Sequence, residues 1–151
     1  MLINSNPSGI YPTVILKDTY LGELYEQDKY KSFGFDDTVD LCAELLTIFE
    51  EADIPVIRLG LHSGGDFDGK VLGGVYHPAL REITEGRIMF NRMKKAMDES
   101  GKKRFRIYTD RSNISIISGH KKENKLKLGE LGYSFSITQE DGTDLRIEPL
   151  P

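Results

Sequence analysis

Two short apolar runs flanking a helix-patterned segment constrain this fold more than any other feature of the chain. IYPTVILK (residues 10–17) and PVIRLGL (55–61) are rich in β-branched and aromatic residues. They show little polar alternation, the pattern of strands covered on both faces. Between them Val39, Cys42, Leu45, Leu46 and Phe49 recur at helical spacing. Asp36 or Asp37 is placed to cap that helix, and Pro55 forbids its continuation past Ala52–Asp53. Strand, helix and strand then form one crossover unit with parallel strands. Pro12 must sit near the start of the first strand or at an edge, because it has no amide hydrogen to donate. A short helix is expected over 19–27, with a loop through Tyr30–Phe35, while residues 1–9 read as an irregular lead-in.

Residues 63–74 contain five glycines. Their spacing matches neither the dinucleotide fingerprint nor a Walker loop, so this stretch reads as an active-site or surface loop. Pro78 suits the first position of a long helix. Leu80, Ile83, Phe90, Met93 and Met97 give that helix a buried stripe to about Ser100.

The net charge of −4 is spread unevenly. Residues 101–128 hold nine basic and two acidic side chains, a balance of +7 that leaves −11 for the remainder. Two modules are expected, an acidic one over 1–100 and a basic one over 101–151, meeting at Ser100–Gly101. The second reads as strand Arg104–Thr109, helix Ser112–Ser118, a break at Gly119, and a helix to Leu131 ended by Gly132. Strands Tyr133–Thr138 and Leu145–Glu148 follow, joined by a tight hairpin at Asp141–Gly142. The order is β-α-α-β-α, then β-α-α-β-β.

Cys42 is the only cysteine among 151 residues, which excludes an internal disulfide and any three-cysteine ligand set from this chain. No apolar run approaches the roughly 20 residues of a membrane span, so no membrane partner is expected and a cytoplasmic location is. No serine or cysteine nucleophile constellation and no glycosidase-like carboxylate pair is evident. No catalytic residue and no metal ligand is assigned.

GIYPTVILKDTYLGELYEQDKYKSF, then IPVIRLGLH, then GVYHPALREITEGRI resemble the second half of the radical SAM core in elongator-catalytic-subunit-like proteins. Bacterial members of that wider group carry the label oxygen-independent coproporphyrinogen oxidase-like. The resemblance covers residues 10–92, and IYPT with Lys17, Tyr20-Leu21 and Tyr30-Lys31 is its most specific part. It implies an α/β fold, the C-terminal part of a partial (β/α) radical SAM barrel, followed here by the small basic β-α-α-β-β module. In that family a three-cysteine motif holds a [4Fe–4S] cluster that reductively cleaves S-adenosylmethionine. This chain lacks the motif. The resemblance therefore implies a C-terminal segment that completes the cavity of an enzyme whose N-terminal cluster-binding half lies elsewhere. Alone, the chain is expected to bind neither group, to be inactive and to self-associate through an unpaired strand edge.

Strand ends are where ligands meet parallel sheets. Lys17 is then either a cofactor-side residue, as the resemblance implies, or a solvated strand end. Arg58, inside an apolar strand, reads as a buried ion-pair partner, with a cavity-facing cofactor ligand as the alternative. His62 and His77 flank the glycine-rich loop as candidate substrate-binding residues, although 15 residues apart with no third ligand they make no metal site. A packing role at a helix start suits His77 better. A second function class comes from the basic module. Gly119-His120-Lys121-Lys122 between two helices partly resembles the GxxG loop of a KH domain, which grips single-stranded RNA. Lys121 and Lys122 are the candidate nucleic-acid-binding residues, although Lys122 replaces the second glycine and a terminal helix is absent. A small interaction protein with no site is the third reading.

Overall fold

The computed structural model describes residues 7–62, 67 and 69–151. The lead-in and the glycine-rich loop fall partly outside them. The described residues form a mixed α/β structure that divides into two compact units, Met1–Thr84 and Glu85–Pro151.

In the first unit, β1 (Ser8–Ile10) pairs in parallel with β3 (Val56–Leu59), and α2 (Phe35–Glu51) lies between them in sequence, which is the expected crossover. The continuous strand expected over 10–17 is broken. After β1 the chain passes through Pro12 into β2 (Val14–Leu16), which pairs antiparallel with β4 (Val71–Gly74). A residue without an amide hydrogen cannot carry one ladder across this point, and the chain uses it to change partners. β4 is the end of the glycine-rich segment, read from sequence as loop. Gly74 lies at φ 81°, and a Cβ there would stand 2.2 Å from the Thr13 carbonyl oxygen. That close approach is what admits glycine in a strand.

Thr19 caps α1 (Tyr20–Glu26), its hydroxyl accepting from the Gly22 amide at 3.0 Å and donating to the Leu16 carbonyl at 2.7 Å. α2 begins differently from expectation. Its cap is Gly34, which offers no side-chain acceptor, and Asp36 and Asp37 stand inside the first turn, where their charge still complements the positive helix end. Val39, Cys42 and Leu46 are buried as the spacing predicts, and Leu45 and Phe49 are half-buried. Arg81 ties the start of α3 (Leu80–Ser100) to β3 by donating to the Val56 carbonyl at 2.8 Å.

The second unit is a three-stranded sheet in the order β6-β5-β7. β5 (Arg104–Thr109) spans the expected residues. β6 (Ser134–Gln139) runs parallel to it and β7 (Arg146–Pro149) antiparallel on its other side. The expected hairpin is therefore absent. The Asp141–Gly142 turn carries the chain past the end of β5, so β6 and β7 never pair. Between β5 and β6 lie a 3-10 turn (Arg111–Asn113), α4 (Ile114–Ser118), a second 3-10 turn (His120–Lys122) and α5 (Glu123–Glu130). The core joins Met89, Met93 and Met97 of α3 to Phe105, Ile107, Ile117 and Leu128. This explains why the compact units divide within α3, although the charge pattern changes only at Ser100–Gly101. The later turns of α3 bury their methionines with the sheet that follows.

Candidate functional site

The first unit holds a cleft of about 370 Å³ just beyond the carboxyl end of β1. Tyr11, Pro12 and Thr13 form one wall, and Leu41, Cys42, Leu45 and Phe49 of α2 form another. Tyr30, Ser32 and Phe33, from the segment between α1 and α2, complete it. The wall built by α2 follows from helical spacing, since positions 38, 41, 42, 45 and 49 share one side of a helix. The rim is apolar and open, with Tyr11 55 %, Phe33 69 % and Leu41 42 % exposed. No charged residue lines it. The Thr38 hydroxyl is already engaged, donating to the Gly34 carbonyl at 2.8 Å. Such a lining offers mainly apolar contact and no charged partner. It offers no carboxylate to a sulfonium or an α-amino group.

Cys42 lies in the α2 wall, 2 % exposed. Burial raises its pKa, keeping it a thiol, whereas a metal ligand must be a thiolate. Among the described residues no group of three His, Cys, Asp or Glu side chains could hold a metal ion. A [4Fe–4S] cluster does not fit the residues present.

The strand-end candidates from the sequence do not line this cleft. Lys17 is exposed and follows β2, which lies outside the parallel pair, so the rule that placed a ligand at its strand end does not reach it. Its amide donates to the Lys70 carbonyl at 2.8 Å. Arg58 is exposed on β3, opposite Gly9, so the burial that called for an ion pair is absent. His62 is exposed just past β3, where its carbonyl accepts from the Tyr76 hydroxyl at 3.2 Å. His77 uses Nδ1 to accept from the Ala79 amide at 3.0 Å before α3, and its ring meets Phe35 edge-on with centroids 6.0 Å apart.

Sequence reasoning missed the cleft because its walls come from three separated segments. The available signal was the aromatics Tyr30 and Phe33, which belong to no strand or helix stripe, whereas Tyr11 was absorbed into the strand expected over 10–17.

In the second unit Lys121 and Lys122 occupy the turn between α4 and α5, both exposed and both left-handed, at φ 51° and 63°.

A parallel strand–helix–strand unit with an open cleft just beyond the end of its first strand defines an α/β domain. Residues 9–89 match the Radical_SAM C-terminal domain, and the chain belongs to that family. The full-length family works with S-adenosylmethionine and a [4Fe–4S] cluster. Neither a curated protein nor a solved structure matches the chain. No helix is long and apolar enough to cross a membrane among the described residues.

Proposed function

We propose that this chain is the C-terminal segment of a radical SAM enzyme of the elongator-like or coproporphyrinogen oxidase-like group. In this reading it completes the cavity of a catalyst whose cluster-binding half is a separate polypeptide or segment. The observation that carries it is the family match over residues 9–89 in a sequence whose single cysteine is buried. The parallel β1–β3 pair is the closing portion of a partial (β/α) barrel. β1 is paired on one side only among the described residues, so a partner strand can extend the sheet beside the apolar cleft. Tyr11 and His62, which follow the carboxyl ends of the parallel strands, stand where ligands meet such sheets, with Tyr11 in the cleft wall.

The chain reconstituted anaerobically with iron and sulfide is expected to form no cluster and to cleave no S-adenosylmethionine. Co-expressed with the product of an adjacent reading frame that carries a CxxxCxxC motif, it should co-purify as a complex that does both. Without that partner the open β1 edge should drive self-association. Stoichiometric cluster binding by the lone chain would overturn the reading, and so would a monodisperse monomer at high concentration that no cluster-bearing polypeptide binds.

A further inference from the structure

We propose that the groove between the α4–α5 turn and β6 binds single-stranded nucleic acid, with Lys122 and Lys125 on the phosphates and Phe135 offering its exposed surface to a base. The groove, of about 210 Å³, is lined by Ser118, Lys122, Lys125, Phe135, Ser136 and Ile137. It is smaller than the roughly 300–1,000 Å³ of a small-molecule pocket, with room for a planar base rather than a folded ligand.

Three observations point to this occupant. First, no acidic residue lines the groove. Neither lysine forms an ion pair with a described residue, whereas Lys127 on the same helix is held by Glu123 at 2.5 Å. Glu85–Pro151 carries fourteen basic and ten acidic residues, against a balance of −8 in the rest of the chain. Second, Phe135 and Ile137 are half-buried on an edge strand. They leave an apolar floor beside two exposed cations, the pairing of stacking surface and charge that single strands require. Ser136 adds a hydroxyl at the same surface, whereas the Ser118 hydroxyl already donates to the Ile114 carbonyl at 3.0 Å.

Third, the turn is built to hold its conformation. Two successive left-handed lysines are unfavourable for side chains with a Cβ, and such backbone persists only where its surroundings over-determine it. Here the 5 %-exposed Asn124 donates through Nδ2 to the carbonyls of Gly86 at 2.8 Å and of Ile116 and Ile117 at 3.3 Å. Gly119, at φ 77°, packs so closely on Asn124 that a Cβ would lie 2.7 Å from its Cγ. The result is a fixed presentation of Lys122 toward the groove. Lys121, its equal in the sequence pattern, does not line it.

The inference is independent of the function proposed for the first unit, and its test uses the full chain. Fluorescein-labelled oligouridylate and oligothymidylate of twelve nucleotides are titrated by fluorescence polarisation at two salt concentrations. At low salt both should bind, or RNA alone if the 2′-hydroxyl contributes. The K122Q/K125Q double variant should bind at least tenfold more weakly, and its log-affinity against log-salt slope should shrink by about 1.4, two phosphates' worth. K102Q/K103Q, with the same charge change away from the groove, should lose less than threefold. Phe135→Leu, which keeps an apolar core contact, should weaken binding severalfold without altering the slope. Equal losses from the two lysine pairs, no binding at low salt, or tighter binding of polyglutamate than of either oligonucleotide would each overturn the proposal, the last in favour of an acidic peptide.

Discussion

The carboxylate of Asp110 receives the amide of Gly142 at 3.1 Å, joining the end of β5 to the turn between β6 and β7. The same carboxylate accepts from the amide and hydroxyl of Ser112, each at 3.1 Å, and so caps the 3-10 turn that leads into α4. One side chain thus fixes both the chain's exit from the central strand and the return that sets β7 on the far side of β5.

The Gly142 amide, then the Ser112 amide and hydroxyl, hold the Asp110 carboxyl below the usual carboxylate range. A lowered folded-state pKa contributes stability that is present above the unfolded value of about 3.9 and is lost as pH falls through the folded value. Asp110→Asn should therefore unfold at lower urea than wild type at pH 7. That difference should narrow below about pH 4. A difference that stays constant from pH 7 to pH 2.5 would mean that the charge is irrelevant.

Gly119→Ala should destabilise the chain by on the order of 2 kcal/mol or more. The cause is the positive φ together with a Cβ 2.9 Å from the Asn124 backbone nitrogen, a contact that no flexible side chain can relieve. Urea unfolding measures it. A loss under half a kilocalorie would show that the turn relaxes freely.

Asn124→Ala leaves three carbonyls without their shared donor, at a cost of about 1–3 kcal/mol. Asn124→Asp should be worse, since a carboxylate cannot donate to them. Denaturation midpoints ordered wild type, Ala, Asp from most to least stable are expected, and equal midpoints for the last two would contradict this account.

Cys42 should react with a thiol reagent at pH 8 only as fast as the chain opens, because it is buried and its pKa is raised by that burial. In denaturant it should react at once and completely. Rapid stoichiometric labelling of the folded protein would place the thiol at the surface.

Periodicity made some elements legible. In β5 the buried Phe105, Ile107 and Thr109 alternate with Arg104, Arg106 and Tyr108, and the two-residue repeat marks the strand residue by residue. The stripe through Val39, Cys42 and Leu46 did the same for α2. What failed depended on partners distant in sequence. Asp141–Gly142 has the chemistry of a hairpin turn, but β5 offers both its edges and separates the strands that the turn would have joined. Pro12 was seen as a constraint on one strand, whereas it divides two strands with different neighbours. The cleft lined by Tyr11, Phe33 and Leu41 exists only once three segments meet. Because of that division Lys17 follows β2 rather than the parallel strand, the solvated strand end that its position in the sequence also allowed.

The methionines of α3 have a practical consequence for anyone dividing this protein. A fragment beginning at Gly101, where the charge changes, would contain every strand of the second sheet and yet lack Met89, Met93 and Met97, which fill its interior beside Phe105 and Ile107. Such a peptide would expose the apolar side of its own sheet and precipitate or stay unfolded. A fragment beginning at Glu85 carries its hydrophobic filling with it.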